Sequence, residues 1–341
     1  MRKLASIQKI TGLEAIEGAD NILKAKVLGW ELVIKKGEFE VGDYCIYCEV
    51  DSLLPDKPEF EFLKSKGFRI KTIRLRGQIS QGICFPLSFL PANFEIEEGA
   101  DCTEALGITK YEPPFGPGSA RLGGDLKGGG PSFIPKTDET RVQILQNVLS
   151  KYKGQPCYIA EKLDGSSATY YIKDGIFGVC SRNFELDESE ENTFWQVAKK
   201  LNIEEKLRSL NGNYAFQGEL VGEGVQYNKM RLKGNTVFFF NIFKIDTREY
   251  VPYADFVKLM KQLDLPIVPI LNDNFILTES ITELVEMSKI KSSIRPEIWA
   301  EGIVIRLLED KLDKYLLKDL GGHGRVSFKV INPEFLLKYN E

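Results

Sequence analysis

One lysine in this chain is placed to act as a nucleophile. The stretch Tyr158-Ile-Ala-Glu161-Lys162-Leu-Asp164-Gly165-Ser-Ser sets Lys162 at the end of an apolar run, beside carboxylates and a glycine turn. A lysine amine is protonated at neutral pH and becomes nucleophilic only when burial, a neighbouring cation or a bound metal lowers its pKa. Cys157, Ile159 and Glu161 alternate with Tyr158, Ala160 and Lys162, and Asp-Gly follows, so the pattern predicts a strand running into a tight turn. An ordinary turn lysine beside Asp-Gly is the competing reading, and a Lys-x-Asp-Gly match alone does not separate the two.

Three other apolar runs end in polar groups: Tyr214-Ala-Phe-Gln-Gly-Glu219, Val237-Phe-Phe-Phe240-Asn-Ile-Phe243 and Trp299-Ala-Glu301-Gly-Ile-Val-Ile-Arg306. A carboxylate among apolar neighbours is costly unless it meets a cation or a ligand hydroxyl. Glu219 and Glu301 are therefore candidate site residues, with a buried ion pair as the alternative. The phenylalanines at 238–240 read as core, one ring being available to stack on a base. Arg141 falls in the first turn of a helix predicted to open at Thr137-Asp138, with Val142, Leu145, Val148 and Leu149 on one face. A cation there opposes the helix dipole, so Arg141 either holds a phosphate together with free amides or pairs with Asp138. Arg69, Lys71, Arg74 and Arg76 follow Phe68 on one predicted strand and its turn. Such a face could track a phosphate backbone, or be a solvated edge strand kept soluble by charge.

The elements that must position these groups divide into two domains, as 341 residues at 43% apolar and 28% charged allow. Residues 1–110 hold strand-like runs at Lys3–Ile10, Asn21–Ile34, Asp43–Val50, Phe68–Leu75 and Gly82–Leu87, which predict a five-stranded OB-type β-barrel. Residues 111–135 are rich in Gly and Pro and read as a linker or loop without regular structure. Residues 136–341 mix strands and helices into an α+β domain. A hairpin about Lys173-Asp-Gly delivers Ser181-Arg182-Asn183, and helices are predicted at Thr193–Leu210, Tyr253–Leu263 and Glu279–Ile290. The net charge of −4 gives no global basic field, so nucleic-acid contact would rest on local patches. Six scattered cysteines and the lack of a signal or an 18-residue apolar run point to a reduced, cytoplasmic monomer without a membrane partner. Cys45-x-x-Cys48 has no second pair to complete a zinc site, and the single histidine, His323, leaves little room for Ser-His-Asp chemistry.

Taken in order, Glu161-Lys162-Leu-Asp164-Gly165, Ser181-Arg182-Asn183, Gly218-Glu219, Phe240-Asn-Ile-Phe243-Lys-Ile, Glu301-Gly-Ile-Val-Ile-Arg306 and Ser327-Phe-Lys329 resemble the six collinear nucleotidyltransferase motifs of ATP-dependent RNA ligases. With its barrel N-terminal, the chain is most similar to the nick-sealing RNA ligases of the Naegleria type. The resemblance implies an OB domain followed by an ATP-grasp-like ligase domain of the covalent nucleotidyltransferase class. It implies that Lys162 attacks the α-phosphorus of ATP, that the AMP then passes to an RNA 5′-phosphate, and that a 3′-hydroxyl displaces it. By matching positions, Glu161 would contact adenine, Phe240 would stack on it and Glu219 would hold the ribose, within a site that includes Asp164 and Gly165. Arg182 would lie near ribose and nucleic acid, and Lys329 would neutralise the α-phosphate. Glu301 would position Mg2+ through water, with Mn2+ also accepted, and Arg141 would touch the leaving pyrophosphate. The implied partner is RNA with 3′-hydroxyl and 5′-phosphate ends in a nicked duplex. The last motif departs from the usual Lys-x-Lys, and Arg325 or Lys318 would supply the second charge. The alternatives are a DNA ligase or RNA-capping-type nucleotidyltransferase, which usually place the barrel after the catalytic domain, and a non-catalytic OB-fold nucleic-acid-binding protein.

Overall fold

The structure, a computed structural model, describes residues 3–112, 125–318 and 324–340. In the first third, β1 (Ala5–Lys9), β2 (Gly12–Ile16), β3 (Ala19–Val27), β4 (Trp30–Lys35), β5 (Tyr44–Cys48), β6 (Ser52–Leu53), β7 (Ile73–Leu75), β8 (Gln78–Ser80), β9 (Ile83–Phe85) and β10 (Thr109–Lys110) form the barrel. Its two larger sheets run β1-β5-β9 and β2-β3-β4, with β7-β8 and β6-β10 as shorter pairs. Period-two burial is clear in β4, where Trp30, Leu32 and Ile34 face the core and Glu31, Val33 and Lys35 do not. Two predicted runs are corrected. Asn21–Ile34 is a hairpin, because Leu28 takes a φ of 53° and the chain reverses at Gly29. Phe68–Leu75 is a strand only from Ile73, because Phe68 (φ 59°) follows the end of a 3-10 helix and Arg69 makes a single bridge to Leu53.

The rest of the chain builds two larger sheets. One follows the order β11-β16-β15-β14-β17-β18-β19, from β11 (Leu126–Gly129), β14 (Ser166–Lys173), β15 (Ile176–Cys180), β16 (Phe184–Leu186), β17 (Tyr214–Gly222), β18 (Asn235–Lys244) and β19 (Glu249–Tyr250). The other follows β12-β22-β21-β13-β20, from β12 (Thr140–Arg141), β13 (Pro156–Lys162), β20 (Ile270–Ile276), β21 (Gly302–Leu307) and β22 (Ser327–Ile331). Helices α1 (Gln146–Tyr152), α2 (Thr193–Lys200), α3 (Ile203–Arg208), α4 (Tyr253–Gln262), α5 (Ile281–Met287), α6 (Lys314–Lys318) and α7 (Pro333–Tyr339) complete it. Among the described residues no helix is long and apolar enough to cross a membrane.

Three further expectations change. The stretch expected to lack regular structure contributes β11, since Leu126–Gly129 pairs with β16; residues 113–124 of that stretch lie outside the described residues. The helix expected over 193–210 is two, broken where Asn202 takes a φ of 51°. The helix expected from Thr137 begins at Gln146, because residues 140–141 pair in parallel with β22 and Val142–Ile144 forms a 3-10 turn. Val142, Leu145, Val148 and Leu149 are nonetheless buried as the periodicity predicts.

Register decides which side chains meet. Tyr158, Ala160 and Lys162 lie opposite Arg306, Val304 and Gly302, and Val304 and Arg306 lie opposite Lys329 and Ser327. Paired residues share a face, as do residues two apart on a strand. One face of the five-stranded sheet thus carries Lys162, Lys329 and Arg306. The other face, with Ile159, Ile303, Ile305, Phe328 and Val330, packs on Leu145 and Leu149. Each such side chain contributes about 1.5–3 kcal/mol through burial. That apolar layer fixes the strands whose opposite face holds the charges.

Candidate active site

Between the two sheets, Tyr158, Ala160 and Leu163 pack with Val221, and the partly buried rings of Phe238 and Phe240 close the same cluster. Lys162 ends β13 at this cluster, and its Nζ donates to Oε2 of Glu301 at 2.7 Å. Burial works to lower the lysine pKa, but Glu301, then Glu219, and finally Asp164 outweigh it and leave the amine above its ordinary value. Glu219 shows the converse: burial, with Glu301 and Asp164 nearby, pushes its carboxyl up to about 8 against the pull of Lys162 and a hydrogen bond from the Gly165 amide. The two groups report one condition, a compact cluster with more carboxylates than cations.

Two glycines make the convergence possible. A Cβ on Gly165 would stand 2.4 Å from the Leu220 carbonyl oxygen and 2.8 Å from Glu219 Cγ, so its role is to let the turn approach β17. Gly302, with a φ of 156°, would place a Cβ 2.1 Å from the Val330 carbonyl oxygen, so Glu301 sits where β21 and β22 meet closely.

The other expected site residues are distributed as follows. Asp164 is held by Lys229 at 2.8 Å, a cation that also lies 5.2 Å from the Phe335 and Tyr339 ring centroids of α7. Glu161 falls on the face opposite Lys162; it is 2% exposed and one of its oxygens accepts the Ser293 amide at 2.7 Å. Phe240 lies over the Arg306 guanidinium, 5.5 Å from its ring centroid, while Phe239 is wholly buried core. Arg182 pairs with Asp138, beside a cleft of about 310 Å3 lined also by Lys136, Thr137, Ser167, Ser181 and Asn183. Lys329 shares the sheet face that carries Lys162.

The last motif resolves differently from expectation. Ser327 Oγ donates to Glu139 at 2.7 Å and accepts from Arg306, and Arg306 also binds Glu139 at 2.9 Å, so the serine belongs to a buried structural cluster. Arg325 binds Asp310 and Asn241, both at 2.7 Å, and stacks on Tyr250, so it is not placed as a second phosphate cation. The side chain of Lys318, like His323, lies outside the described residues.

Arg141 is not in a helix. It is extended (φ −73°, ψ 137°), its guanidinium lies 3.9 Å from Asp51 and 5.5 Å from the Trp30 ring centroid, and Asp138 pairs with Arg182 instead. Asp51 also binds Arg69 at 2.7 Å, and Arg69 stacks on Tyr111 at 3.8 Å. The Gly29 amide donates to the Gln143 carbonyl at 2.8 Å across the same junction. Arg74 reaches Glu334 of α7 at 2.6 Å, Lys71 is partly buried with its pKa lowered by that burial and by Arg69 and Lys66, and Arg76 is exposed in the β7–β8 turn. The four barrel cations therefore do not share one strand face: Arg69 is held within the barrel by Asp51, and Arg74 reaches across to the ligase domain. Lys229, Ser293, Asp51 and Glu139 were missing from the sequence reading, because each acts through a partner 65 or more residues away and no local pattern marks it.

Glu301, Glu219 and Asp164 are hard oxygen donors, suited to Mg2+ or Mn2+ rather than to a softer metal. Among the described residues no three acidic, His or Cys side chains are grouped to hold a metal directly. This donor set fits an ion that keeps several waters and shares its coordination with substrate phosphates.

A family model for RNA ligase matches residues 155–331, and one described as an OB-fold domain matches residues 4–87. Solved structures of Naegleria gruberi RNA ligase are similar over nearly the whole length at 37% identity. An aspartate-to-alanine variant without ligand has a TM-score of 0.88 over 99% of this chain and 98% of its own. The complex with pyrophosphate has 0.89 over 100% and 99%. A lysine-to-alanine variant with ATP and Mn has 0.86 over 98% of each. No curated protein matches the chain.

Proposed function

This chain belongs to the RNA ligase family, with an OB-fold domain preceding an α+β ligase domain, and on that premise we propose that it uses ATP to seal 3′-hydroxyl/5′-phosphate nicks in duplex RNA. The observation that carries the reading is the position of Lys162, on a rigid strand end between three carboxylates and on the same sheet face as Lys329.

In this reading the Lys162 amine loses its proton and attacks the α-phosphorus of ATP in line with the leaving pyrophosphate. A P–N bond forms as the P–O bond to pyrophosphate breaks. Lys329 neutralises charge on the α-phosphate, and Arg141, held against the barrel by Asp51, meets the departing pyrophosphate. Phe240 stacks on adenine, Glu219 binds the ribose within the pocket closed by Asp164 and Gly165, and Glu161, held on the opposite face by the Ser293 amide through one oxygen, keeps its other oxygen for the adenine. A divalent cation, Mg2+ or Mn2+, would be held through water by Glu301 and would supply charge neutralisation on the phosphates. The RNA 5′-phosphate then takes AMP from Lys162, with Arg182 beside the ribose and the RNA, and the 3′-hydroxyl finally displaces AMP. Arg69 and Arg74 are engaged by carboxylates, so phosphate contacts from the barrel fall to Lys71 and Arg76. The reading includes action as a cytoplasmic monomer, which six free, buried cysteines suit. It also includes a domain division at 1–110 and 136–341.

The experiment is denaturing transfer of label from α-labelled ATP to the chain, followed by addition of nicked RNA. Label on wild type but not on Lys162→Ala, and its passage to a 5′-phosphate with joining of the strands, is the expected result. Label on neither protein would overturn the covalent chemistry. Label that moves to DNA nicks and not to RNA nicks would overturn the substrate.

A further inference from the structure

Residues 223–234 join β17 to β18 beside the turn that carries Lys162, since Ser166 at the start of β14 lies opposite Leu220 near the end of β17. This connection is anchored from within. Met230 and Leu232 pack into the apolar cluster with Tyr158, Ala160 and Leu163, and Lys229, only 9% exposed, reaches Asp164. Asn228 donates to the Leu232 carbonyl and accepts from the Leu232 amide, both at 2.9 Å. Gln226, Tyr227 and Asn228 take φ values of 43°, 58° and 46° in succession, a conformation that non-glycine residues hold only where their surroundings enforce it.

The product is an aromatic ring turned outward. Tyr227 is 76% exposed, and Arg231 and Lys233 on the same connection are exposed as well. An outward ring and two cations, two to four residues from Lys229, which is paired with the site's Asp164, and outside every apolar cluster, match the combination that binds a nucleic-acid strand: stacking on a base and neutralisation of its phosphates.

We propose that Tyr227, Arg231 and Lys233 form a binding site for the RNA end at the break, the ring stacking on the terminal base and the two cations meeting the adjoining phosphates. This rests on the RNA-sealing reading above and adds to it a wall of the substrate site. The site holds RNA, not ATP, so its loss separates the two halves of the reaction.

The test uses the full chain, freed of nucleotide and then charged with α-labelled ATP. Wild type, Tyr227→Ala, Tyr227→Phe and an Arg231→Ala/Lys233→Ala double variant are compared for label uptake and for label transfer to a nicked RNA duplex at limiting RNA. The ratio of transfer to uptake is expected to fall about tenfold in Tyr227→Ala, as loss of one stacked base predicts, and to return in Tyr227→Phe. The double variant is expected to lower the ratio and flatten its salt dependence. An unchanged ratio in Tyr227→Ala overturns the site, as does an equal loss of uptake and transfer. Wild type that takes up label and passes it to no RNA overturns the sealing reading with it, and the wild-type reaction alone distinguishes that failure.

Discussion

Lys162 Nζ and Glu301 Oε2 stand 2.7 Å apart, so the amine proposed to attack is paired with the carboxylate proposed to hold the cation. The pairing holds the amine above its ordinary pKa and in its unreactive, protonated form. Engagement of Glu301 by a divalent cation would free it. In the proposed mechanism, cation binding and nucleophile activation would then be one event.

Glu301→Gln should therefore act in opposite directions on two measurements. In protein without divalent cation, the pH midpoint for modification of Lys162 by an amine-reactive reagent should fall below that of wild type. With ATP and Mg2+, label uptake should drop by about 100-fold or more, on the scale of losing a preorganised electrostatic contact. A midpoint that does not move would show that the ion pair does not control the lysine.

Glu219 makes stability depend on pH. Its carboxyl titrates near 8 in the folded chain and near the ordinary 4.5 when unfolded, so between those values the folded state binds more protons. Stability from this group is therefore present below about 4.5 and is lost as pH rises toward 8. Thermal melts of the metal-free protein should show Tm declining over that window, and Glu219→Gln should flatten the decline.

Gly165→Ala should fail for steric reasons. The added Cβ would lie 2.4 Å from a backbone carbonyl oxygen, which cannot rotate away as a side chain would. Overpacking of this kind costs about 1–3 kcal/mol. Because the shift displaces Lys162 and Glu219 together, label uptake should fall by more than tenfold even where melts show the chain folded.

Asp51 ties Arg141 to the barrel. Asp51→Ala leaves the two partly buried guanidiniums of Arg69 and Arg141 facing each other without their shared carboxylate. The expected result is a several-fold higher KM for ATP with a smaller change in kcat, and partial recovery in Asp51→Glu. Equal kinetics in Asp51→Ala would detach the barrel from nucleotide binding.

Order and alternation along the chain were sufficient for the two-domain plan, the strand ending at Lys162 and the polar ends at Glu219 and Glu301. These signals are local: a period of two, an Asp-Gly turn, a carboxylate stranded among apolar residues. The same logic misplaced Arg141. Its helix-like pattern of Val142, Leu145, Val148 and Leu149 is a true record of burial, but residues 140–141 gain more by pairing with β22 than by opening a helix. Likewise Arg69, Lys71, Arg74 and Arg76 look alike in sequence and separate in space, because Asp51 and Glu334 claim two of them. Arg325 was an open candidate for the second charge of the last motif until Asp310 and Asn241 bound it. A charge declares its type in the sequence, but its partner lies elsewhere along the chain, and the energy of a charge is set by its partner and its burial. The strands and the position of Lys162 at a strand end could be read locally for that reason, whereas the pKa of Lys162, the clamp on Arg141 and the outward ring of Tyr227 exist only once distant segments are packed together.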